Sequence, residues 1–217
     1  MKKQQQPTAG VERERANSDK PMAKSTKSTR KRAEIVRVAI EIINRKSYAL
    51  ATMTDIAAEL GLRDATLYYY YPSKQALAYA CHVNSLERFE RLLDEADHSG
   101  ANGLDKLRRF IRGLLIDGER HGPQLYFGDY SYLEAAERAQ VDAWVTRLEA
   151  VLQGFLDEGV ADSSMVPCDT RLVVQLILGM LIWLSKWVPT IEDVTVDSLM
   201  QAIGIASLNG LERKPEP

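Results

Sequence analysis

The segment TMTDIAAELGLRDATLYYYYPSK, residues 52–74, constrains the fold more than any other part of the chain. A threonine followed three residues later by Asp55 is typical of a helix N-cap, and Gly61 is typical of the end of that helix. A further helix, Asp64–Tyr70, must stop before Pro72, because a proline ring disfavours helical geometry in the preceding residue. The segment therefore predicts two short helices joined by a tight turn.

The small and apolar residues of this segment have the spacing of a helix-turn-helix. Ala57 is small where the two helices cross, Gly61 makes the turn, and Leu62 and Leu67 fill the space between the helices. A preceding helix over about 30–46, with apolar residues at helical spacing, completes a three-helix headpiece. In such headpieces the last helix lies in the major groove of DNA, so the pattern predicts double-stranded DNA as a partner.

The four tyrosines that end this segment, followed by Pro-Ser-Lys, resemble the TetR family of transcriptional regulators. In that family a threonine opens the second helix, and the recognition helix ends in a Tyr-x-[His or Tyr]-aromatic run before a small polar turn and a lysine. The resemblance is specific over about residues 30–77. It assigns these roles to Thr52, Tyr68, Tyr70, Tyr71 and Lys74.

Three positions depart from the family pattern, which often has Ser, Gly and Phe where this chain has Arg63, Ala65 and Tyr71. The changes at 65 and 71 are mild. Arg63 places a guanidinium at the front of the recognition helix, a position suited to guanine or to phosphate. The alternative is that Arg63 is only solvated.

Consecutive helical residues point about 100° apart, so the four tyrosines cannot share one role. We expect Tyr71 to pack inside, Tyr68 and Tyr70 to offer hydroxyls to phosphates, and Tyr69 to face the groove. The alternative is that all four are ordinary core or surface aromatics.

Lys74 is predicted to contact a DNA phosphate. A cation in the first turn of a helix opposes the helix dipole, and a phosphate would remove that conflict. The alternative is a solvated lysine with a small energetic penalty. The complete set of predicted DNA contacts is Thr52, Thr54, Arg63, Asp64, Thr66, Tyr68, Tyr69, Tyr70 and Lys74.

The charge distribution favours the same partner. Residues 1–74 carry 15 Lys and Arg against 8 Asp and Glu, whereas residues 75–217 carry 13 against 22. Part of the positive excess belongs to residues 1–29, which lack apolar periodicity and hold 7 basic and 3 acidic residues. Charge therefore suggests nucleic acid without establishing it.

The remainder of the chain predicts only helices, so the fold class is all-α. We predict three parts: a disordered basic tail over 1–29, a helix-turn-helix DNA-binding domain over 30–74, and a ligand-sensing and dimerisation domain over 75–217. The helix that begins at Lys74 would join the last two parts. The predicted helices after the headpiece are 74–96, 104–120, 124–132, 134–158, 169–187 and 194–211.

Residues 172–187 are apolar nearly all round, so this helix must be covered on more than one side. The family resemblance implies that the last two helices of each subunit form a four-helix homodimer interface. A monomeric core is the alternative. Small residues on the final helix would allow close approach there: Ala202, Gly204, Ala206 and Ser207.

Aromatic residues with polar edges are candidates for an effector pocket, although ordinary core packing explains each of them as well. The histidines at 82, 98 and 121 and the two cysteines lack metal-ligand spacing, so we expect no metal and no cofactor. The candidate pocket residues are Tyr126, Phe127, Tyr130, Trp144 and Trp183.

The leading prediction is a cytoplasmic, homodimeric transcriptional regulator, most often a repressor in this family, whose operator affinity is changed by a small-molecule effector. The lysines of MKKQQQPTAG are not followed by the apolar segment of a signal peptide, and no membrane span is predicted. The alternative is a ligand-independent DNA-binding or architectural protein. Walker, H-E-x-x-H, G-x-S-x-G and dinucleotide motifs do not occur, so an enzyme is not expected.

Overall fold

The computed structural model describes residues 27–125, 130–204 and 206, and within these residues the regular structure is helical. A 3₁₀ turn, Val188–Thr190, follows the seventh helix. The helices are α1 (Lys27–Lys46), α2 (Met53–Glu59), α3 (Asp64–Tyr70), α4 (Lys74–Ser99), α5 (Gly103–His121), α6 (Ala135–Ala161), α7 (Thr170–Trp187) and α8 (Val196–Ile203).

The helix predicted over 124–132 is wrong for the residues that the structure describes there. Residues 122–125 and 130–132 are not helical. Gly122, with φ +81°, ends α5. Beyond it, the carbonyl oxygen of Gln124 accepts a hydrogen bond from Asn44 and the N–H of Leu125 donates to Ser85, so the backbone at the predicted start of this helix makes tertiary bonds instead of helical ones. The last helix begins at Val196 rather than 194, because the side chain of Thr195 accepts a hydrogen bond from the N–H of Ser198.

The headpiece has its own hydrophobic core, formed by α1, α2, α3 and the first turns of α4. Ile35, Ile56 and Leu67 are fully buried within it. Leu77 and Cys81 extend this core into α4, whereas Leu86 and the residues after it belong to a second core. A single long helix therefore packs in both parts of the molecule.

The second core lies between α4, α5, α6 and α7. Phe89 and Phe110 meet edge to face, with ring centroids 4.9 Å apart. An ion pair between Arg88 and Asp117, with a nitrogen–oxygen distance of 2.6 Å, joins α4 to α5 at a buried position. Arg88 and Asp117 are 8% and 5% exposed, and Arg91 lies 3.3 Å from the same carboxylate, so the buried charges are compensated within this group.

Helix α7 presents a buried face and an exposed apolar face. Ile177, Leu181 and Leu184 pack into the second core, while Leu172 and Leu176 are 64% and 73% exposed. The segment Thr170–Thr190 is long and apolar enough to cross a membrane by length and composition alone. Among the described residues, only its buried face packs on other helices, where α7 contacts α6 and α1.

Candidate nucleic-acid interface and adjoining cavity

The start of α2 is fixed by a reciprocal cap. The hydroxyl oxygen of Thr52 accepts a hydrogen bond from the N–H of Asp55 at 3.0 Å, and the Asp55 carboxylate accepts one from the N–H of Thr52 at 3.1 Å. Lys46, the last residue of α1, lies 2.9 Å from the same carboxylate. Hydrogen bonds from Lys46 and Thr52 lower the pKa of Asp55 to about 2. This cap holds α2 against the end of α1.

The turn between α2 and α3 follows the geometry that the sequence predicts. Gly61 has φ +61°, and the N–H of Leu62 donates to the carbonyl oxygen of Ala57 at 2.8 Å. The hydroxyl of Thr54 donates to the Asp64 carboxylate at 2.7 Å, which ties α2 to the first residue of α3. The two helices are thus held together on the exposed side as well as in the core.

Helix α3 has one buried anchor and one exposed face. Leu67 is fully buried, whereas Tyr69 is 81% and Tyr68 48% exposed. The other predicted DNA contacts near α3, together with the N-cap threonine and the threonine of α2, also lie on the surface. These exposed residues are Thr52, Thr54, Arg63, Asp64 and Thr66.

The end of α3 is anchored by Tyr71 and Arg32. Tyr71 is 9% exposed, which confirms the prediction that this aromatic packs inside. The guanidinium of Arg32 donates to the carbonyl oxygen of Tyr70 at 2.8 Å and lies 5.2 Å from the centre of the Tyr71 ring. Tyr70 is half-buried and meets Tyr69 edge to face. The sequence did not single out Arg32, because its partners lie 38 residues away.

Lys74 is half-buried, and its ammonium is held by the turn between α1 and α2. It donates hydrogen bonds to the carbonyl oxygens of Tyr48 at 2.8 Å and Ala51 at 3.0 Å, with Ala49 at 3.5 Å. The ammonium also lies 4.3 Å from the centre of the Tyr48 ring. The α4 dipole disfavours a positive charge in the first turn of the helix, and the carbonyl oxygens and the aromatic face therefore lower the energetic cost of placing Lys74 there.

A cavity of about 250 Å³ lies in the second part of the molecule, between α4, α5, α7 and the chain around α8. The lining is predominantly apolar and includes Phe89, Leu115, Leu181 and Leu199. Glu119 is the charged residue of the described lining, and it is exposed. Such a cavity suits an uncharged apolar group.

The aromatic residues predicted to form a pocket do not line this cavity where the structure describes them. Tyr130 donates a hydrogen bond to Asp142 at 2.7 Å, and burial raises its pKa to about 12. Trp144 is half-buried with Arg147 over its ring, and Trp183 is 55% exposed. Tyr126 and Phe127 lie outside the described residues.

A row of aromatic rings connects α4 to the headpiece. Tyr132 stacks on Tyr48 with ring centroids 3.5 Å apart, and its hydroxyl is 2.9 Å from Nε2 of His82. His82 is fully buried, and burial lowers its pKa to about 4. The described residues contain no group of His, Cys, Asp and Glu arranged for a metal ion.

Two family profiles match this chain, one over the headpiece and one over the second part of the molecule. Residues 35–81 match the profile described as bacterial regulatory proteins of the tetR family, and residues 100–203 match the profile described as the tetracyclin repressor-like C-terminal domain. The chain belongs to the TetR family of transcriptional regulators. The α2–α3 unit is accordingly the DNA-binding helix-turn-helix of a TetR-family protein.

Two similar sequences are named as regulatory proteins. The fatty acid metabolism regulator protein of Bacillus subtilis is 21% identical over 185 residues, covering 83% of this chain and 95% of that protein. The HTH-type transcriptional repressor KstR2 of Rhodococcus jostii is 24% identical over 191 residues, covering 83% and 91%.

Solved structures of TetR-family proteins share the fold of this chain. The ketosteroid transcriptional regulator KstR2 of Mycobacterium tuberculosis superposes with a TM-score of 0.74 at 19% identity, covering 85% of this chain and 96% of that one. AibR, solved in complex with isovaleryl coenzyme A and operator DNA, superposes with a TM-score of 0.67 at 22% identity, covering 80% and 97%. At these identities the superpositions establish the fold alone.

Proposed function

We propose that this TetR-family regulator binds a palindromic or pseudopalindromic operator as a homodimer, represses transcription, and leaves the operator when a small-molecule effector binds. The observation that carries the proposal is the exposed face of α3, held in place by buried Leu67 and Tyr71. A helix presented in this way can enter the major groove without rearranging the headpiece.

Contacts with base edges are assigned to the front and outer face of α3, and contacts with phosphates to its flanks. Arg63, Thr66 and Tyr69 are exposed along the face that would meet the groove. Asp64 belongs to the same group, although its carboxylate also accepts the hydroxyl of Thr54. Phosphate contacts are assigned to Thr52, Tyr68 and Tyr70, and to Thr54, whose hydroxyl must give up the Asp64 carboxylate before it can donate to a phosphate.

We also propose a phosphate contact by Lys74, whose ammonium is already hydrogen-bonded within the headpiece. Its ammonium donates to the carbonyl oxygens of Tyr48 and Ala51. The third N–H of the ammonium makes only a long contact of 3.5 Å with the carbonyl oxygen of Ala49, so a phosphate would compete with that contact first. The binding energy of the phosphate contact is reduced by any bond that is given up.

The homodimer is assigned to the exposed faces of α7 and α8. Leu172, Leu176 and Trp183 leave a row of apolar surface along α7, and Ala202 and Ala206 are exposed on the final helical segment. Apolar surface of this kind on a folded protein marks an interaction site, and small residues permit two helices to approach closely. The fourth small residue of the prediction, Ser207, lies outside the described residues.

The effector is assigned to the apolar cavity, and its chemistry follows from the lining. The described lining offers no lysine or arginine to pair with a carboxylate, so a free fatty acid would bury an uncompensated charge. An acyl group joined to coenzyme A through a neutral thioester meets the lining better, with the coenzyme part outside the cavity. The relative AibR has been solved with isovaleryl coenzyme A, which is consistent with this class.

The proposal keeps the division predicted from the sequence, with a basic tail over 1–29, a DNA-binding domain over 30–74 and a sensing and dimerisation domain over 75–217. It also places the protein in the cytoplasm, where operator and acyl thioesters are both accessible. Helix α4, which packs in both cores, would carry a change in the sensing part to the headpiece.

A thermal-shift series tests the effector. Acyl-coenzyme A thioesters of increasing chain length, the matching free acids and coenzyme A alone are compared at equal concentration. A ligand specific to the folded state raises stability by about 2.7 kcal/mol at roughly one hundred times its Kd. We expect thioesters, but not coenzyme A, to raise the melting temperature. Operator binding with no response to any compound would support the ligand-independent alternative.

A further inference from the structure

The chain between the cavity and helix α1 is the four-residue stretch Gly122 to Leu125, called here the 122–125 segment. It begins at a glycine with φ +81°, where a Cβ would lie 3.4 Å from the carboxylate of Glu41 and 3.7 Å from the side chain of Arg37. Both of these residues belong to α1. The segment therefore runs directly along the side of the headpiece.

One side of the 122–125 segment lines the cavity, and the other is hydrogen-bonded to the helices that carry the headpiece. The side-chain amide of Asn44 in α1 donates to the carbonyl oxygen of Gln124 at 2.8 Å. The N–H of Leu125 donates to the hydroxyl oxygen of Ser85 in α4 at 2.9 Å, and Arg88 donates to the carbonyl oxygen of Gly122 at 2.7 Å. Displacing the segment breaks these bonds at buried or half-buried positions.

Leu125 belongs to the headpiece core although it lies far from the headpiece in sequence. It is 2% exposed and packs in the cluster formed by residues of α1, α2, α3 and early α4. Leu125 is also one of the residues that line the cavity. A group that fills the cavity thus touches a residue of the DNA-binding core without an intervening layer.

The backbone of Asn44 also accepts a hydrogen bond, from a residue of α7 next to the cavity lining. The ammonium of Lys186 in α7 donates to the backbone carbonyl oxygen of Asn44 at 2.6 Å. The residues just before this lysine, Leu184 and Ser185, line the cavity. Asn44 is itself only 5% exposed, so the 122–125 segment and α7 are both fastened to one buried residue of α1.

From Asn44 the path to the DNA-binding helices is short. Two residues later, the side chain of Lys46 meets the Asp55 carboxylate that caps α2. A shift at the end of α1 would therefore move the cap of α2, and α2 is joined to α3 through the bond between Thr54 and Asp64.

We propose that Asn44 and Leu125 couple occupancy of the cavity to operator affinity through helix α1. A group in the cavity displaces the 122–125 segment, which withdraws Leu125 from the headpiece core and breaks the bond to Asn44. The end of α1 and the cap of α2 then shift, and the two recognition helices no longer fit successive grooves. This inference rests on the proposed function, and it adds a route through α1 to the movement of α4.

A covalent probe tests the coupling without knowledge of the natural effector. Val196 of α8 lines the cavity and is replaced by cysteine, in a Cys168→Ser background that removes the partly accessible thiol. Hexyl methanethiosulfonate then places an alkyl chain in the cavity as a mixed disulfide, and dithiothreitol removes it. Mass spectrometry establishes one label per chain, and operator affinity is measured before labelling, after labelling and after reduction.

The Val196→Cys, Cys168→Ser protein is the parent in this experiment. Labelling it should lower operator affinity within the roughly 5- to 150-fold range of allosteric coupling, and dithiothreitol should restore the affinity. In Asn44→Ala and in Leu125→Ala the loss should fall below about threefold. Leu114→Ala is the matched control, because Leu114 lines the cavity and packs on the second core. On labelling, Leu114→Ala should lose as much operator affinity as the parent does.

Two results would overturn the coupling. One is an unchanged operator affinity after complete labelling of the parent. The other is a full loss of affinity retained in both Asn44→Ala and Leu125→Ala. Failure of the unlabelled parent to bind any selected DNA would instead overturn the proposed function, so the two failures are distinguishable.

Discussion

Lys74, the first residue of α4, donates a hydrogen bond to the carbonyl oxygen of Tyr48 at 2.8 Å and holds its ammonium 4.3 Å from the centre of the Tyr48 ring. The same ammonium donates to Ala51 at 3.0 Å. One cation therefore fastens the turn between α1 and α2 to the helix that leads to the sensing part. This contact adds to the buried core that Leu77 and Cys81 of α4 share with the headpiece.

Replacing Lys74 with methionine should lower the stability of the headpiece. The substitution keeps most of the apolar stem and removes charge-assisted hydrogen bonds, each of which contributes roughly 1.5–3 kcal/mol. Thermal unfolding followed by circular dichroism measures the loss. Lys31→Met is the control, because Lys31 pairs with Glu34 on the surface, where a salt bridge contributes at most about 1 kcal/mol. Equal melting temperatures for the two variants would contradict a stabilising role for the hydrogen bonds of Lys74.

The same variant tests the predicted phosphate contact of Lys74. Loss of one phosphate contact in each subunit should reduce the magnitude of the slope of log K against log salt by about 0.9 per contact. Affinity should fall for specific and nonspecific DNA alike. Titrations at several salt concentrations give the slope, and an unchanged slope would confine Lys74 to its role on the carbonyl oxygens of Tyr48 and Ala51.

Substitutions on the exposed face of α3 should change which operator is preferred. For Arg63→Ala we expect discrimination to weaken at one base pair in each half-site, by about 1–3 kcal/mol if the guanidinium contacts guanine in bidentate fashion. Affinities for operators altered one base pair at a time provide the measurement. Thr146→Ala, an exposed position on α6, should leave the pattern intact. A uniform loss across all operators would place Arg63 on a phosphate instead.

Stability should depend on pH through His82. Burial lowers the pKa of His82 from 6.5 to about 4, so the unfolded chain takes up the proton at a higher pH than the folded chain. The stabilisation is complete above pH 6.5 and is lost as the pH falls toward 4, by about 3 kcal/mol at most. Denaturant unfolding over this range measures it. His82→Gln should flatten the dependence, and an identical slope in that variant would contradict the assignment.

A charge on the exposed face of α7 should separate the subunits. Leu176 is 73% exposed, so Leu176→Glu should leave the fold of each subunit intact while placing like charges across the proposed interface. We expect a monomer by light scattering and a large loss of operator affinity. Thr146→Glu on α6 controls for the added charge. A Leu176→Glu protein that remains dimeric would place the interface elsewhere.

The local elements of the headpiece were predictable because their signals are local. The cap at Thr52, the turn at Gly61 and the stop before Pro72 each act within a few residues, and α3 has the predicted bounds of Asp64–Tyr70. The helix expected after Gln124 failed for the opposite reason. Residues 122–125 are held by tertiary bonds to Asn44, Ser85 and Arg88, which no local pattern indicates.

The remaining parts of the site depend on contacts between distant residues. The sequence predicts Lys74 as a phosphate contact, and its partners in the structure are carbonyl oxygens 23 to 26 residues earlier, which no local pattern indicates. The cavity is lined by aliphatic residues of α5, α7 and α8, which the sequence marks only as helix core. Aromatic composition therefore gave no guide to its lining.

Selection of random double-stranded DNA by the wild-type protein determines whether the chain is a homodimeric, operator-specific regulator. We expect enrichment of a palindromic or pseudopalindromic sequence, whose half-site centres lie about 10–10.5 base pairs apart or a multiple of that spacing. Two subunits should bind each duplex, with the recognition helices about 34 Å apart or a multiple of this distance. Enrichment of no common sequence, or of an asymmetric site bound by a single subunit, would contradict a homodimeric, operator-specific regulator.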